Sequence, residues 1–224
     1  MHNKYYRWVA QGKKRPIKQL SECPPRLLTK AIANMSIKQR AWLAKTGFRN
    51  LLCFSFSSTP HDLAHKILMT YNIENQCLEL GEKTIQLTEQ DVNHVLGFPM
   101  GSEEVQFTKD SAVARAWEGQ FKSKPSRITT KDVLAEMKST GDATPLFKRN
   151  FLVLLANTLI SPPKEAFATK DLAGFRGELD KLYNYNWCSY TLSKLKKAVR
   201  MWREKPATAF TGPLHFLVVS FSHL

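Results

Sequence analysis

The spacing of apolar residues in 77–88 predicts a small β-hairpin. Apolar and polar residues alternate on both sides of a turn at Gly81. A period of two is typical of strands, whose successive side chains point to opposite faces. The alternating apolar positions are Leu78, Leu80, Ile85 and Leu87. A turn that contains glycine can join two such strands, so we expect an antiparallel pair here.

The hairpin leads into a predicted helix with a clear start and end. Thr88 occupies the N-cap position, where its hydroxyl can accept a hydrogen bond from the backbone of Gln90 or Asp91. The Asp91 carboxylate also suits the positive end of the helix dipole. Gly97 favours a left-handed helix end, and Pro99 prevents the helix from continuing. The apolar stripe of this helix, spaced i, i+3 and i+4, is Val92, Val95 and Leu96.

A helical period recurs through most of the remaining chain. Apolar residues three and four apart predict helices over 27–35, 37–46, 60–72, 112–121, 130–139, 147–160 and 187–203. Ser36, Thr59 and Thr130 are predicted N-caps. After Ser36, one helical face is predicted to hold Ile37, Arg40, Ala41 and Ala44, with Trp42 and Leu43 broadening the apolar side. For 48–56 the apolar run fits a buried helix or a buried strand equally well.

These patterns predict a mainly α, multi-helix globular domain over 25–224, with one small β-hairpin near 77–88. A hydrophobic content of 43% and an aromatic content of 11% supply a sizeable core. No apolar run is long enough to span a membrane. The first residues lack the apolar core of a secretory signal, and the four cysteines form no CxxC pair. We therefore expect an intracellular, non-secreted protein with reduced thiols.

Positive charge is concentrated at the N-terminus. The net charge is +14, and residues 1–50 carry 12 Lys and Arg against the single acid Glu22. Residues 51–168 carry 12 basic against 14 acidic residues, and residues 169–224 carry nine against four. A basic segment beside a near-neutral body is typical of polyanion binding. We predict that 1–24 is a flexible basic arm.

Two groups of basic residues are predicted to contact nucleic acid or an acidic protein partner. The first is Lys13, Lys14 and Arg15, which follow Tyr5, Tyr6 and Trp8 in the arm and could combine phosphate contact with base stacking. A solvated tail or a nuclear-import signal explains the same residues. The second group, on the predicted helix over 187–203, is Lys194, Lys196, Lys197 and Arg200. The aromatic stretch 183–190 is read mainly as an anchor for that helix, with stacking on bases as the alternative.

His61 and His65 stand four residues apart on a predicted helix, a spacing that puts two imidazoles on one face. The catalytic zinc pattern needs a glutamate directly after the first histidine as general base. Asp62 takes that place, in a first helical turn where an acidic residue is common. His94 and His215 have no motif that would make either a third ligand. We therefore predict no metal and no cofactor.

The sequence also lacks the common catalytic motifs. It contains no phosphate-binding GxxxxGK[ST], no GxGxxG after a strand and no GxSxG. Cys53 or Cys188 could be combined with a histidine as a hydrolase nucleophile, but neither lies at a glycine-flanked elbow or a glycine-rich helix start. We assign no catalytic residues and expect a protein that is not an enzyme.

The segment TIQLTEQDVNHVLGFPMG resembles one that plant mobile-domain proteins carry, with the pattern I.LT..DV..VLGLP.G. The matching positions are Ile85, Leu87, Thr88, Asp91, Val92, Val95, Leu96, Gly97, Pro99 and Gly101, and Phe98 replaces the usual leucine. FKRNFLVLLANTLISPP, YNWCSYTLSKLKKAV and GPLHFLVV resemble later segments of that family in the same order. The likeness covers about residues 36–221.

The resemblance implies a plant, transposon-derived family that includes domesticated nuclear proteins and proteins fused upstream of ubiquitin-like-protein proteases. The family is often labelled aminotransferase-like, yet the chain shows no cofactor lysine motif. Its last residues, SFSHL, depart from the family's usual continuation, which leads us to expect a C-terminally truncated domain. The leading hypothesis is a non-catalytic nuclear module that associates with nucleic acid. The alternative is a remnant of a larger transposon-encoded protein that lacks its protease domain.

Overall fold

The fold is built mainly from capped helices. A computed structural model describes residues 25–53, 61–109, 111–121, 127–165, 167–205 and 208–222, without the side chains of residues 61, 62 and 222. The helices are α1 (Arg26–Ala33), α2 (Ile37–Lys45), α3 (His61–Thr70), α4 (Glu89–Leu96), α5 (Ala112–Glu118), α6 (Thr130–Lys138), α7 (Pro145–Leu155), α8 (Trp187–Glu204) and α9 (Leu214–Ser222). The strands are β1 (Tyr71–Asn72), β2 (Cys77–Leu80) and β3 (Lys83–Gln86). The predicted mainly α fold class is confirmed.

Helix α7 lies at the centre of the core. Every side chain from Phe151 to Leu155 is fully buried, as expected for a helix that is apolar on all sides. Its neighbours include α6 and α1, and the wider π-helical turn Ala156–Ile160 extends it towards α8 and α9. Thr144 caps its start by accepting a hydrogen bond from the Phe147 N–H at 3.2 Å. The predicted helix over 147–160 is therefore present, with a change of helical type in its last turn.

Polar side chains of α7 and its π-helical turn, buried Asn157 and half-buried Arg149, hold the irregular segment 167–175 in place. The amide of Asn157 donates to the carbonyl oxygens of Val153 and Thr169 at 2.7 and 2.8 Å. Its oxygen accepts from the backbone N–H and the hydroxyl of Thr169 at 2.7 and 3.0 Å. Arg149 donates to the carbonyl oxygens of Ala173 and Phe175 at 2.8 and 3.1 Å. Both ends of the segment are thus fixed to one helix.

The predicted hairpin is present, with one extra strand beside it. β2 and β3 pair antiparallel, with Leu78 opposite Ile85, and Gly81 in the turn has a φ of 65°. β1 pairs with the other edge of β2 through Tyr71 and Leu78. A strand of two residues is too short to produce a recognisable alternation, which is why the sequence did not predict it.

The predicted caps of α4 are confirmed. The Thr88 hydroxyl accepts from the Asp91 N–H at 3.3 Å, and the Asp91 carboxylate accepts from the Thr88 N–H at 2.7 Å. Such a reciprocal pair satisfies donors that a helix start otherwise leaves free. Gly97 ends the helix in the left-handed region, at a φ of 67°.

Two details of the predicted helices are wrong. In α2 the side chain of Ile37 is 87% exposed, and the buried face is Gln39, Trp42 and Leu43. Gln39 is turned inwards because its amide donates to the carbonyl oxygen of Thr140 at 2.8 Å. In α6 the cap is Thr129, which accepts from the Asp132 N–H at 3.2 Å, and Thr130 is the first helical residue.

The apolar C-terminal segment forms α9, which packs against α3, α4 and the turn Ala156–Ile160. Leu214, Phe216 and Leu217 are buried in this contact. In the chain's described parts, no helix is both long and apolar enough to cross a bilayer. Residues 49–53 of the ambiguous run form a 3₁₀ turn, whereas 54–60, with the predicted cap Thr59, lie outside the described residues.

Replacing Asn157 by alanine should strongly destabilise the fold. The change removes four hydrogen bonds at a fully buried site and leaves the backbone groups of Thr169 unsatisfied. We expect the free energy of unfolding to fall by about 3 kcal/mol, measured by urea denaturation. Asn75→Ala, at an exposed asparagine that forms hydrogen bonds through its backbone, is the control and should cost under about 0.5 kcal/mol. Equal losses for the two variants would contradict the role of Asn157.

His215 should make stability depend on pH. Burial lowers the pKa of this α9 side chain to about 4, so the folded state favours the neutral imidazole. The unfolded chain binds the proton first as the pH falls, and stability is lost between about pH 6.5 and 4, by about 3 kcal/mol. His215→Phe should lose this part of the pH dependence in denaturation curves, whereas the exposed-site control His94→Phe should keep it. An unchanged slope in His215→Phe would refute the assignment.

Candidate nucleic-acid interface

Helix α8 is the longest helix among the described elements, and local bonds fix its start. The side chain of Asn186 accepts from the Ser189 N–H at 2.8 Å, which caps the first turn. The amide of Asn186 also donates to the Glu89 carboxylate of α4 at 2.8 Å. Trp187 is fully buried, and its indole N–H donates to the carbonyl oxygen of Leu182 at 2.9 Å. The start of α8 is thereby anchored to the core.

The aromatic stretch 183–190 serves largely as the predicted anchor. Trp187 makes edge-to-face contacts with Phe48 at 5.4 Å between ring centroids. Phe175 lies 5.6 Å from Trp187 and 5.0 Å from Tyr185. Offset and edge-to-face contacts of this kind favour a fixed arrangement of rings. At the outer end of the stretch, Tyr190 is partly buried against the core, and its ring lies 6.1 Å from that of Trp187.

One stripe of α8 becomes more exposed along the helix, from half-buried Tyr190 and Lys194 to exposed Lys197 and Met201. Its residues follow at intervals of four, three and four, so they lie along one line on the helix surface. The stripe is Tyr190, Lys194, Lys197 and Met201. The opposite side of α8 is buried against α4 and the turn Ala156–Ile160. Met201, the last residue of the stripe, is 42% exposed.

Lys194 lies over an aromatic pair formed by Phe107 and Tyr190. Its ammonium nitrogen is 5.5 Å from the centre of the Phe107 ring and 5.0 Å from the centre of the Tyr190 ring. The two rings are edge to face, 6.5 Å apart. Cation–π contact of this kind stabilises a charge that has lost part of its water. Phe107 comes from a loop far away in sequence, and nothing in the local pattern indicated this pairing.

The neighbouring charges of Lys194 are mostly positive. Burial is the main cause that lowers the pKa of Lys194 below its ordinary value. The Asp171 carboxylate opposes that shift, and the ammonium groups of Lys197 and Lys109 add to it. Lys109 itself forms an ion pair with Asp171 at 3.4 Å. Lys109 and Lys194 therefore share one described carboxylate, and Lys197 adds a further positive charge beside Lys194.

The Phe107 loop is held in place by the segment that α7 fixes. The Thr108 N–H donates to the carbonyl oxygen of Gly174 at 3.0 Å, and Phe107 pairs with Phe175 in an isolated antiparallel bridge. Gly174 is required at this approach because a Cβ there would collide with the carbonyl oxygen of Thr108. The aromatic pair thus depends on contacts between three distant parts of the chain.

The structure divides the predicted basic residues of α8. Lys197 and Arg200 are exposed, and neither forms an ion pair with a described carboxylate. Lys196 points about 200° away from Lys194 around the helix, on the flank where Arg203 donates to the carbonyl oxygen of Tyr71. Lys196 therefore lies apart from Lys194 and Lys197, and Arg200 lies between the two flanks, about 60° from Lys197 and about 40° from Lys196. We define the basic face as Lys109, Lys194, Lys197 and Arg200.

The arm residues of the prediction lie elsewhere in the chain. Lys13, Lys14 and Arg15 are outside the described residues. Sequence reasoning also missed Lys109, which stands in a polar, irregular stretch with no helical period. Only the contact of this loop with α8 brings Lys109 to the basic face.

The basic face ends near the start of α8, where the surface becomes acidic. The N–H of Asn186 donates to the carbonyl oxygen of Glu103 at 2.7 Å, so Glu103 lies beside the first turn of the helix. Glu103 and Glu104 are exposed and line a groove of about 350 Å³ together with Arg176 and Tyr185. An anionic chain on the basic face is therefore expected to extend from Tyr190 towards Met201 rather than towards the helix start.

The remaining candidate chemistry is dispersed. The ring of His65 packs edge to face against Trp202, 5.8 Å between centroids. Across the described residues, no three His, Cys, Asp or Glu side chains are grouped to hold a metal ion.

The Cys188 thiol is buried and donates to the carbonyl oxygen of Phe98 at 3.3 Å. Burial raises its pKa to about 12, and the Glu89 carboxylate adds to the effect. This environment keeps the thiol protonated and unreactive.

A family model for a domain of unknown function, DUF8566, matches residues 21–218. The chain belongs to the DUF8566 family. No curated protein and no solved structure matches it. The DUF8566 match includes all four residues of the basic face and both rings of the aromatic pair. The resemblance to plant mobile-domain proteins stays a prediction.

The three described cysteines of this DUF8566 protein should differ sharply in reactivity. Burial raises the pKa of both Cys77 and Cys188, whereas Cys53 is exposed. At pH 8 the thiolate fraction of a thiol with a pKa of about 12 is about one in ten thousand. In a Cys23→Ser variant, an alkylating reagent should modify Cys53 rapidly and the other two only after unfolding, as read by peptide mass spectrometry. Rapid labelling of folded Cys188 would contradict this environment.

Proposed function

We propose that this chain is a non-catalytic nuclear interaction module that binds nucleic acid through the basic face of α8. The observation that carries the proposal is the pair Lys197 and Arg200, two exposed cations without a described carboxylate partner. Lys109 and Lys194 lie beside them and share one acid among the described residues, Asp171. Phosphate groups are the abundant anions that match a row of such cations.

The uneven charge of the whole chain supports the same proposal. The excess of basic residues is greatest in 1–50 and second in 169–224, the part that contains α8. Lys13, Lys14 and Arg15 would add phosphate contacts or direct nuclear import. The likeness of 85–101 to plant mobile-domain proteins, a transposon-derived family with nuclear members, supports the proposed location and origin.

Charge reversal on α8 should weaken nucleic-acid binding and its dependence on salt. For the double variant Lys197→Glu, Arg200→Glu, we expect lower affinity for a fluorescent oligonucleotide in anisotropy titrations. Between about 50 and 200 mM salt, the loss of two phosphate contacts should reduce the slope of log affinity against log salt by about 1.4 to 1.8. The measurement uses the full chain, so the contribution of the arm remains constant.

The matched control reverses two lysines on another surface. Lys131 and Lys138 are exposed on α6, which packs against α1 and α7. The double variant Lys131→Glu, Lys138→Glu has the same net charge as the α8 variant and should keep nearly the original slope. Equal weakening by both pairs would mean that only net charge matters. If wild-type affinity does not fall with salt, phosphate contact is refuted, and binding to polyglutamate alone would indicate an acidic protein partner.

A further inference from the structure

We propose that the basic face recognises single-stranded nucleic acid, with Phe107 and Tyr190 as a stacking platform that Lys194 covers in the free protein. This inference rests on the proposed function, because it specifies which nucleic acid the same surface binds. The ligand class is an unpaired strand whose phosphates meet Lys109, Lys197 and Arg200 while a base meets the rings.

The arrangement of side chains is the first argument. Rings and cations share one stripe of α8, in the order Tyr190, Lys194, Lys197 and Met201. Surfaces that hold unpaired strands combine a positive groove with aromatic rings on which bases stack. A surface that binds only duplex phosphates gains nothing from rings beside its cations, since paired bases are enclosed in their own stack. The interleaving of rings and lysines therefore favours a single strand.

The position of Lys194 is the second argument. A base could occupy the place over the two rings that the Lys194 ammonium occupies in the free protein. The ammonium lies over both rings at 5.0 and 5.5 Å and forms no ion pair with a described carboxylate. Lys194 stands on a helix, and its long side chain can turn towards solvent without moving the backbone. A strand phosphate near Lys197 would attract the Lys194 ammonium off the rings. The side of the rings that Lys194 covers would then be open to a base, while their other side stays packed against the core.

The acidic groove at Glu103 and Glu104 gives the third argument, since it limits where the strand can lie. Both carboxylates are exposed beside the start of α8, and they repel phosphates. A strand with a base at Tyr190 therefore continues along the helix past Lys197 and Arg200. Met201, 42% exposed at the other end of the stripe, provides a further apolar contact for a base or sugar.

The decisive variants change the rings and leave the charges unaltered. The double variant Phe107→Leu, Tyr190→Leu should bind a fluorescent single-stranded oligodeoxythymidine about tenfold or more weakly. Its slope of log affinity against log salt should remain that of the wild type, because no phosphate contact is lost. Affinity for a duplex of the same length should not change. Phe107→Tyr, Tyr190→Phe retains both rings and should restore single-strand affinity.

Two comparisons keep the test decisive. Phe167→Leu, Tyr183→Leu removes two exposed rings elsewhere on the surface, 39% and 48% exposed, and should leave binding unchanged. The wild-type protein should also bind an abasic strand about tenfold more weakly than the intact one, at the same salt slope. This second measurement decides the question even if the leucine variant does not fold.

The outcomes separate this inference from the proposed function. The first possible outcome is that Lys197→Glu, Arg200→Glu lowers affinity, the leucine variant binds like the wild type, and the abasic strand binds like the intact strand. In that case the stacking platform is refuted and phosphate binding stands. If single-strand and duplex affinities fall equally in the leucine variant, the rings serve only the fold. If the wild-type protein shows no salt-dependent binding to either ligand, both proposals fail.

Discussion

The attachment of residues 167–175 to α7 is the constraint on which the rest of the described structure depends. Asn157 uses all four of its hydrogen-bonding positions inside the core, and three of these bonds join it to Thr169. Arg149 binds the other end through the carbonyl oxygens of Ala173 and Phe175. Partial burial lowers the pKa of Arg149, and two carbonyl oxygens accept hydrogen bonds from its guanidinium. A buried polar network stabilises a fold only when its members are satisfied, and this one also fixes a segment without regular structure.

The candidate interface follows from that attachment. Once Gly174 and Phe175 are fixed, they position Thr108 and Phe107, and Phe107 meets Tyr190 on α8. Phe175 also contacts Trp187, so the loop and the start of α8 share one aromatic cluster. The surface that we propose to bind nucleic acid is therefore formed by three segments that a core network holds together. Exposed basic residues give this surface its charge, and the contacts in the core fix the positions of its three segments.

Local chemistry explains what could be predicted. Thr88 with Asp91 and Ser36 with Gln39 form capping boxes, and Gly97 ends α4 in the left-handed region. These features depend on residues only a few positions apart, so they can be predicted from the local sequence. The wrong face of α2 arose because a distant partner intervened, whereas the misplaced cap of α6 reflects a local choice between Thr129 and Thr130. Gln39 is buried because Thr140 accepts its amide hydrogen bond, and this contact turns α2 away from the face that Ile37 suggested.

The sequence by itself determined most of the helices, the caps Ser36 and Thr88, the hairpin and the basic character of α8, because each follows from spacing, turn chemistry or charge along a short stretch. It also indicated that Lys197 and Arg200 lie on a helix with an apolar opposite side. Only the tertiary structure decided that Lys194 covers two rings and that Lys109 and Phe107 join the site. The physical reason is that these contacts link residues tens of positions apart. They form when the buried bonds of α7 bring the loop segments 106–109 and 167–175 against α8.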